Sequence, residues 1–199
     1  FDSDTGENIV YLVDLAAAAG APFADTLKKG LPSFLEIVDA QDAAMQQLGD
    51  RLVVSHGDLD HKNVLWDDGG APHIIDWESA RRLNPTHEGL LEALNWSGAR
   101  WQFQPAIFDQ FVNAYREAGG VVDRTDAAPA YHRVLGDWVF WLMHNVGRYL
   151  SGGSANKRAS TERQIGDALA TLQRIMDHVP GFLQVRNPSA TGAGAGRDV

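Results

Sequence analysis

The stretch that most constrains this chain runs from His56 to Glu78 and reads HGDLDHKNVLWDDGGAPHIIDWE. Two short runs, Asn63-Val64-Leu65-Trp66 and His73-Ile74-Ile75-Asp76, flank Asp67-Asp68-Gly69-Gly70, an acidic and glycine-rich turn signal. That pattern predicts an antiparallel hairpin. With Trp66 facing His73, Asn63 comes to lie opposite Asp76 at the open end. Facing residues in such a ladder sit roughly 5 Å apart, close enough for two side-chain oxygens to share one cation. Asp58 lies five residues before Asn63, so three oxygen-bearing side chains are expected to converge. Magnesium favours hard oxygen ligands and leaves much of its shell to water and phosphate, so Asn63 and Asp76 would suffice for a nucleotide-bound ion.

An Asp, an Asn five residues on, and a metal-binding Asp after a strand also form the spacing used in phosphoryl transfer. In that arrangement Asp58 orients and deprotonates an acceptor hydroxyl while Asn63 and Asp76 hold the metal. Positioning and charge neutralisation supply most of the rate in such a reaction, so few residues are needed and their geometry is strict. The plainer roles are a loop-capping carboxylate for Asp58, a turn residue for Asn63 and a strand-end cap for Asp76.

His56-Gly57-Asp58 with Asn63, followed by Ile74-Ile75-Asp76-Trp77-Glu78, resembles the catalytic segment of the aminoglycoside phosphotransferase and choline kinase family. The resemblance implies a protein-kinase-like fold and transfer of the ATP γ-phosphate to a hydroxyl of a small molecule, with Mg2+ as the metal. It matches Asp58 to the catalytic Asp and Asn63 and Asp76 to the metal ligands. Trp77 replaces the Phe of protein kinases, and His56 and Gly57 become structural residues under the catalytic loop. Many members carry a Glu where Glu78 stands, which makes Glu78 a candidate to support the metal ligands or touch the acceptor.

Some accessory positions depart from the family. Members often read Asp-Leu-His-Pro-Gly-Asn, whereas this chain reads Asp58-Leu59-Asp60-His61-Lys62-Asn63. Asp60 thus replaces a His, and His61 or Lys62 is left to supply that polarity. Members commonly follow Asp-Trp-Glu with an Asp-Pro pair and another Asp; here Asn84-Pro85 and Glu88 stand instead.

The 199 residues are 44% hydrophobic, enough for one domain or one large lobe with a sizeable core. No uncharged apolar stretch of about 18 residues occurs, which argues against a membrane span. There is no cysteine, so no disulfide framework or thiolate metal site can form. Phe1-Asp2-Ser3-Asp4 does not resemble a basic signal sequence, and the cytoplasm is the expected compartment. A net charge of -9 argues against a nucleic-acid backbone as partner. It suits a cationic acceptor such as an aminoglycoside or choline, although acidity also simply serves solubility. The histidines show no spaced pair of the zinc-binding type.

A complete kinase of the family needs an N-terminal lobe with a phosphate-covering loop and a strand Lys. Nothing before His56 reads as either, and Lys28-Lys29 follows a helical stretch. The expectation is therefore a mainly α, α+β C-terminal lobe over residues 1–180 with a small hairpin, its N-terminal lobe missing and its own ATP affinity weak. The rival expectation is a non-catalytic kinase-like lobe that binds a small molecule or a protein partner.

Around the motif, apolar periodicity predicts helices at Glu7–Ala19 capped by Thr5, from Pro32 through Leu48, from Pro85 to about Gly98, from Pro105 to Ala118 and from Pro129 to Leu150. Leu52-Val53-Val54 reads as a short buried strand, and Arg81 to Pro85 as a loop. Asp137 and His144 share one face of the long aromatic-rich helix, which makes Asp137 a candidate acceptor contact. Ser151 to Lys157 reads as a flexible linker, and Thr161 with Gln164 as a capping box opening a last helix to about Val179. Residues 181–199 read as a flexible tail.

Overall fold

Helices with apolar stripes build the core, and the computed structural model, which describes residues 6–178, shows how they meet. Among the described residues the order is α1 (Gly6–Ala18), α2 (Ala24–Leu48), β1 (Val53–Ser55), β2 (Val64–Trp66), β3 (Pro72–Ile74), β4 (Arg81–Leu83), α3 (Pro85–Trp96), α4 (Pro105–Glu117), α5 (Ala127–Leu150) and α6 (Ala155–His178). Single 3₁₀ turns at His61–Asn63 and Trp77–Ser79 join the strands to their neighbours. The mainly helical lobe with a small hairpin is what the sequence predicts.

Helix α5 is the central post. It packs against α1, α2, α3 and α6, while α4 packs on α3. Val134, Val139, Leu142, Met143 and Val146 on α5 are almost fully buried, as are Ile9 and Val13 on α1, Leu27 on α2, Leu94 on α3, and Ile165, Leu172 and Ile175 on α6. Removing such side chains from water contributes about 1.5–3 kcal/mol each, so this cluster anchors the lobe.

Several expectations need correction. Helix α2 does not begin at Pro32 but at Ala24, with Pro32 inside it. An interior Pro costs about 3 kcal/mol, yet Leu27 on one side of it and Phe34, Ile37 and Val38 on the other are all buried, and their packing holds the helix continuous. Helix α6 starts at Ala155, so Lys157 belongs to it rather than to a linker. Ser154 Oγ accepts the Lys157 N–H at 3.3 Å, whereas Thr161 lies inside the helix and its buried hydroxyl donates to the Lys157 carbonyl at 2.9 Å. The capping-box pattern loses to a serine seven residues earlier. On α4, Phe108 is buried and its neighbour Ile107 is exposed. Thr5, Val179 and the expected tail lie outside the described residues.

Strand β1 exists, but Val54 is 80% exposed, so it is not a buried strand. It pairs antiparallel with β4, placing Val53 opposite Leu83 and Ser55 opposite Arg81. The segment expected as a loop is therefore the second half of a two-stranded sheet that closes both ends of the motif. Strands β2 and β3 form the predicted hairpin. Asp67 Oδ1 accepts the N–H groups of Gly69 and Ala71 at 2.9 and 2.8 Å, and Gly70 takes a φ of 80°. The acidic side chain thus folds the turn on itself, which is why Asp and Gly stand there.

No helix among the described residues is long and apolar enough to cross a membrane.

Candidate active site

The hairpin register differs from expectation by one position. Val64 pairs with Ile74 and Trp66 with Pro72, so Asn63 lies level with Ile75, whose N–H donates to the Asn63 carbonyl at 3.0 Å. Asp76 stands one residue beyond the ladder. It is exposed, with a φ of 65° and ψ of 54°, the one non-glycine residue in the left-handed region among those described. With Trp66 and His73 paired, six residues would connect the strands; Trp66 pairs with Pro72 instead and five, Asp67 to Ala71, make the connection, closed by the hydrogen bonds between Asp67 and Ala71. Asn63 and Asp76 are therefore not paired across the strands, and Asp76 sits past the ladder in a left-handed conformation.

Asn63 ties the Asp58–Asn63 loop together. Its Nδ2 donates to the Asp58 carbonyl at 2.7 Å and to Asp58 Oδ2 at 3.0 Å. Asn63 is buried, and the 3₁₀ turn that carries it is capped by Asp60, whose carboxylate accepts the His61 N–H at 2.7 Å. With both Nδ2 protons committed, Oδ1 is the atom left for a cation. Lys62 Nζ also reaches Asp58 Oδ2, at 2.8 Å. Two donors therefore converge on one carboxylate oxygen, while 38% of the Asp58 side chain stays exposed for an incoming group. The Lys62 ammonium is held above its ordinary range, first by the hydrogen bond to Asp58 and then by the charges of Asp58, Asp60 and Asp76.

Beneath this loop, α3 supplies two carboxylates that the sequence expectation missed in that role. Glu88 Oε1 accepts the Gly57 N–H at 3.0 Å, and Glu92 Oε1 accepts the Leu59 N–H at 3.1 Å. Their four-residue spacing puts them on one helix face, a signal visible in the sequence but hidden among Leu90, Leu91 and Leu94. Asn84 caps α3 by accepting the Thr86 and His87 N–H groups at 2.9 and 3.3 Å, which fixes the helix that carries both acids. Burial pushes the Glu92 carboxyl up to about 7, against the hydrogen bonds from Asn95 and Leu59.

His56 is buried, and its Nε2 donates to the Ile75 carbonyl at 2.9 Å, with its ring edge-on to Trp77 at 4.7 Å. This bond fastens the start of the loop to the residue before Asp76. Gly57 has a φ of 79°, and a Cβ there would meet the Ser79 carbonyl oxygen at 2.5 Å. Trp77 Nε1 donates to the Ile74 carbonyl at 3.1 Å, and Glu78 lies exposed in the second 3₁₀ turn.

The residues that depart from the family motif form a cluster of their own. His61 stacks on Trp96 at 4.3 Å between centroids and donates to Asp60 at 3.1 Å. Trp96 Nε1 donates to the Leu59 carbonyl at 2.8 Å, and Arg100 reaches Asp60 Oδ2 at 3.3 Å. A cleft of about 330 Å³ opens beside Asp58, bordered by Asp60, Lys62, Leu91, Asn95, Arg100, Asp137, Trp138 and Trp141. Asp137, singled out from helical spacing alone, thus faces the same cleft as Asp58, whereas His144 does not line it. A larger cavity of about 510 Å³ between α1 and the end of α5 is lined by His144 and Arg148 and contains no carboxylate, whereas the cleft beside Asp58 holds three.

A model of the family described as "Phosphotransferase enzyme family" matches residues 11–134, an interval that contains all of His56 to Glu78. The chain belongs to this phosphotransferase enzyme family. Among solved structures, the phosphotransferase chain is similar to a spectinomycin phosphotransferase in complex with ADP and spectinomycin, at 20% identity and a TM-score of 0.55, over 81% of this chain and 48% of that one. It is also similar to an ethanolamine kinase from Plasmodium vivax, at 11% identity and a TM-score of 0.50, over 80% of this chain and 47% of that one. These likenesses show a protein-kinase-like fold, here its helical C-terminal lobe. The chain spans about half the length of these neighbours. No curated protein matches it.

Proposed function

We propose that this phosphotransferase lobe carries the acceptor side of an ATP-dependent transfer, moving the γ-phosphoryl group to a hydroxyl of a small molecule. The observation that carries the proposal is the Asp58 carboxylate: Asn63 and Lys62 hold one oxygen while the side chain opens into a cleft large enough for a small acceptor. In this account Asp58 orients the hydroxyl and takes its proton as the oxygen attacks phosphorus, and ADP leaves.

Among the described residues no three His, Cys, Asp or Glu side chains are grouped to hold a metal. A nucleotide-bound magnesium needs fewer protein ligands, and the donor set fits it: Asn63 has Oδ1 uncommitted, and the acidity of Asp76 and Asp58 already acts on one cation, the Lys62 ammonium. Asn63 and Asp76 would hold the ion. When bound, it would neutralise charge on the transferred phosphoryl group.

The proposal extends to the whole protein the need for a lobe that covers the nucleotide. Exposed apolar groups on the hairpin strands, Leu65, Trp66 and Ile74, with Trp77 in the turn that follows, support a surface that meets something else there.

The test is Mg-ATP calorimetry on the full natural chain combined with ADP release in the presence of varied hydroxyl acceptors. Acceptor-dependent ADP release that disappears in Asp58→Ala supports transfer. Acceptor binding without ADP release supports the rival, a kinase-like lobe that binds and does not react.

A further inference from the structure

The cleft beside Asp58 is rich in acid residues but is not an acidic surface. Lys62 holds Asp58 at 2.8 Å, and Arg100 holds Asp60 at 3.3 Å. Asp137 receives both His87 Nε2 at 2.9 Å and Arg133 at 3.1 Å. Each of the three carboxylates that border the cleft is thus paired with a permanent cation, and two of those cations, Lys62 and Arg100, border it as well. An ammonium entering this cleft exchanges one ion pair for another and gains little, because attraction to an already paired carboxylate is weak in a partly wet site. An acceptor carrying several ammonium groups gains least of all, since Lys62 and Arg100 repel it.

The remaining walls are of another kind. Leu91, Trp138 and Trp141 are apolar, and Asn95 adds an amide. Trp141 stacks on His144 at 5.7 Å with the rings 14° from parallel, which braces the indole. Fixed indoles beside paired carboxylates, a guanidinium and an amide suit a ring that has apolar C–H faces and a rim of hydroxyls: the faces rest on aromatic surface and the hydroxyls donate and accept around the edge.

We propose that the acceptor is an uncharged carbohydrate-like ring rather than a polycationic one. The proposal rests on the phosphoryl-transfer function above and names its substrate class. The step stays balanced: the acceptor oxygen bonds to the γ-phosphorus of ATP, the bond to the β-bridging oxygen breaks, and the hydroxyl proton passes to Asp58.

The experiment compares neutral mono- and disaccharides with polyamino sugars of similar size, using the full natural chain with Mg-ATP and reading acceptor-dependent ADP release from 0.05 to about 0.5 M salt. A neutral sugar is expected to give at least about tenfold higher kcat/KM than its polyamino counterpart, with KM changing less than about twofold across the salt range. Trp141→Ala should raise the acceptor KM about tenfold and change kcat less than about threefold, and Trp141→Phe, which keeps an aromatic face, should restore most of the loss. A polyamino sugar that wins, with a KM that climbs steeply with salt, overturns the substrate class and leaves phosphoryl transfer standing. ADP release that no hydroxyl acceptor stimulates overturns both.

Discussion

Glu88 and Glu92 stand four residues apart on α3 and accept the backbone N–H groups of Gly57 and Leu59, the residues on either side of Asp58. The acid that faces the cleft is therefore held by two acids that do not face it. Both bonds take a backbone N–H that the loop itself leaves unpaired, so the pair fixes the path of the loop before any substrate arrives.

Glu92 should make stability depend on pH near neutrality. Its carboxyl keeps its proton in the fold up to about 7, whereas the unfolded chain releases it near 4.5. Its favourable contribution is complete below 4.5 and is lost as pH rises through 7, where the buried carboxylate costs on the order of 3 kcal/mol. Glu92→Gln keeps an acceptor for Leu59 and does not titrate. Urea unfolding at stepped pH should show a flatter profile between pH 5 and 7 for the variant and greater stability than the parent at pH 8.

Asp76 pays for its position in backbone conformation. A non-glycine residue in the left-handed region costs about 1–2 kcal/mol, and no side-chain cap offsets it here. Asp76→Gly should raise unfolding stability by about 1 kcal/mol in metal-free buffer while removing magnesium-dependent transfer. A variant that loses stability and keeps transfer would show that Asp76 serves the fold rather than the ion.

Gly57 has no room for a side chain. With a Cβ 2.5 Å from the Ser79 oxygen and 2.7 Å from Arg81 Nη1, Gly57→Ala must shift the β1–β4 pairing or the loop. Thermal melts should show a loss of at least about 2 kcal/mol, since both strain and positive φ act in one direction.

Asn84 joins three elements. It caps α3, and its Nδ2 donates to Asp126 Oδ2 at 3.0 Å and to the Leu48 carbonyl at 3.4 Å at the end of α2. Arg51 holds the other oxygen of the buried Asp126 at 3.0 Å. Asn84→Ala should cost about 2 kcal/mol, measured by urea unfolding, because it removes a cap and a buried polar partner together.

Much of this was legible before any coordinates. Asp58 and Asn63 are five residues apart on one loop, so local chain geometry brings them together regardless of distant packing. Helices α1, α3, α4 and α5 announced themselves by apolar period and by Gly or Pro at their ends. The register of β2 against β3 was not legible, because either of two adjacent residues could close an Asp-Asp-Gly-Gly turn and only the Asp67–Ala71 bonds decide. Pro32 and Thr161 misled for a shared reason: each carries a local start signal that burial on both sides overrides. Glu92 and Arg100 act across the fold on Leu59 and Asp60, and no sequence spacing encodes such contacts. Asp60 looked like the loss of a family His, yet it serves as cap to the 3₁₀ turn and partner to Arg100.

The most direct test of the account is the turnover of Asp58→Ala in the full natural chain, assayed by acceptor-dependent ADP release beside Mg-ATP calorimetry. Turnover should fall by about 10²- to 10⁴-fold with nucleotide affinity within about threefold of the parent. Turnover within about threefold of the parent would contradict the assignment of Asp58 as the base.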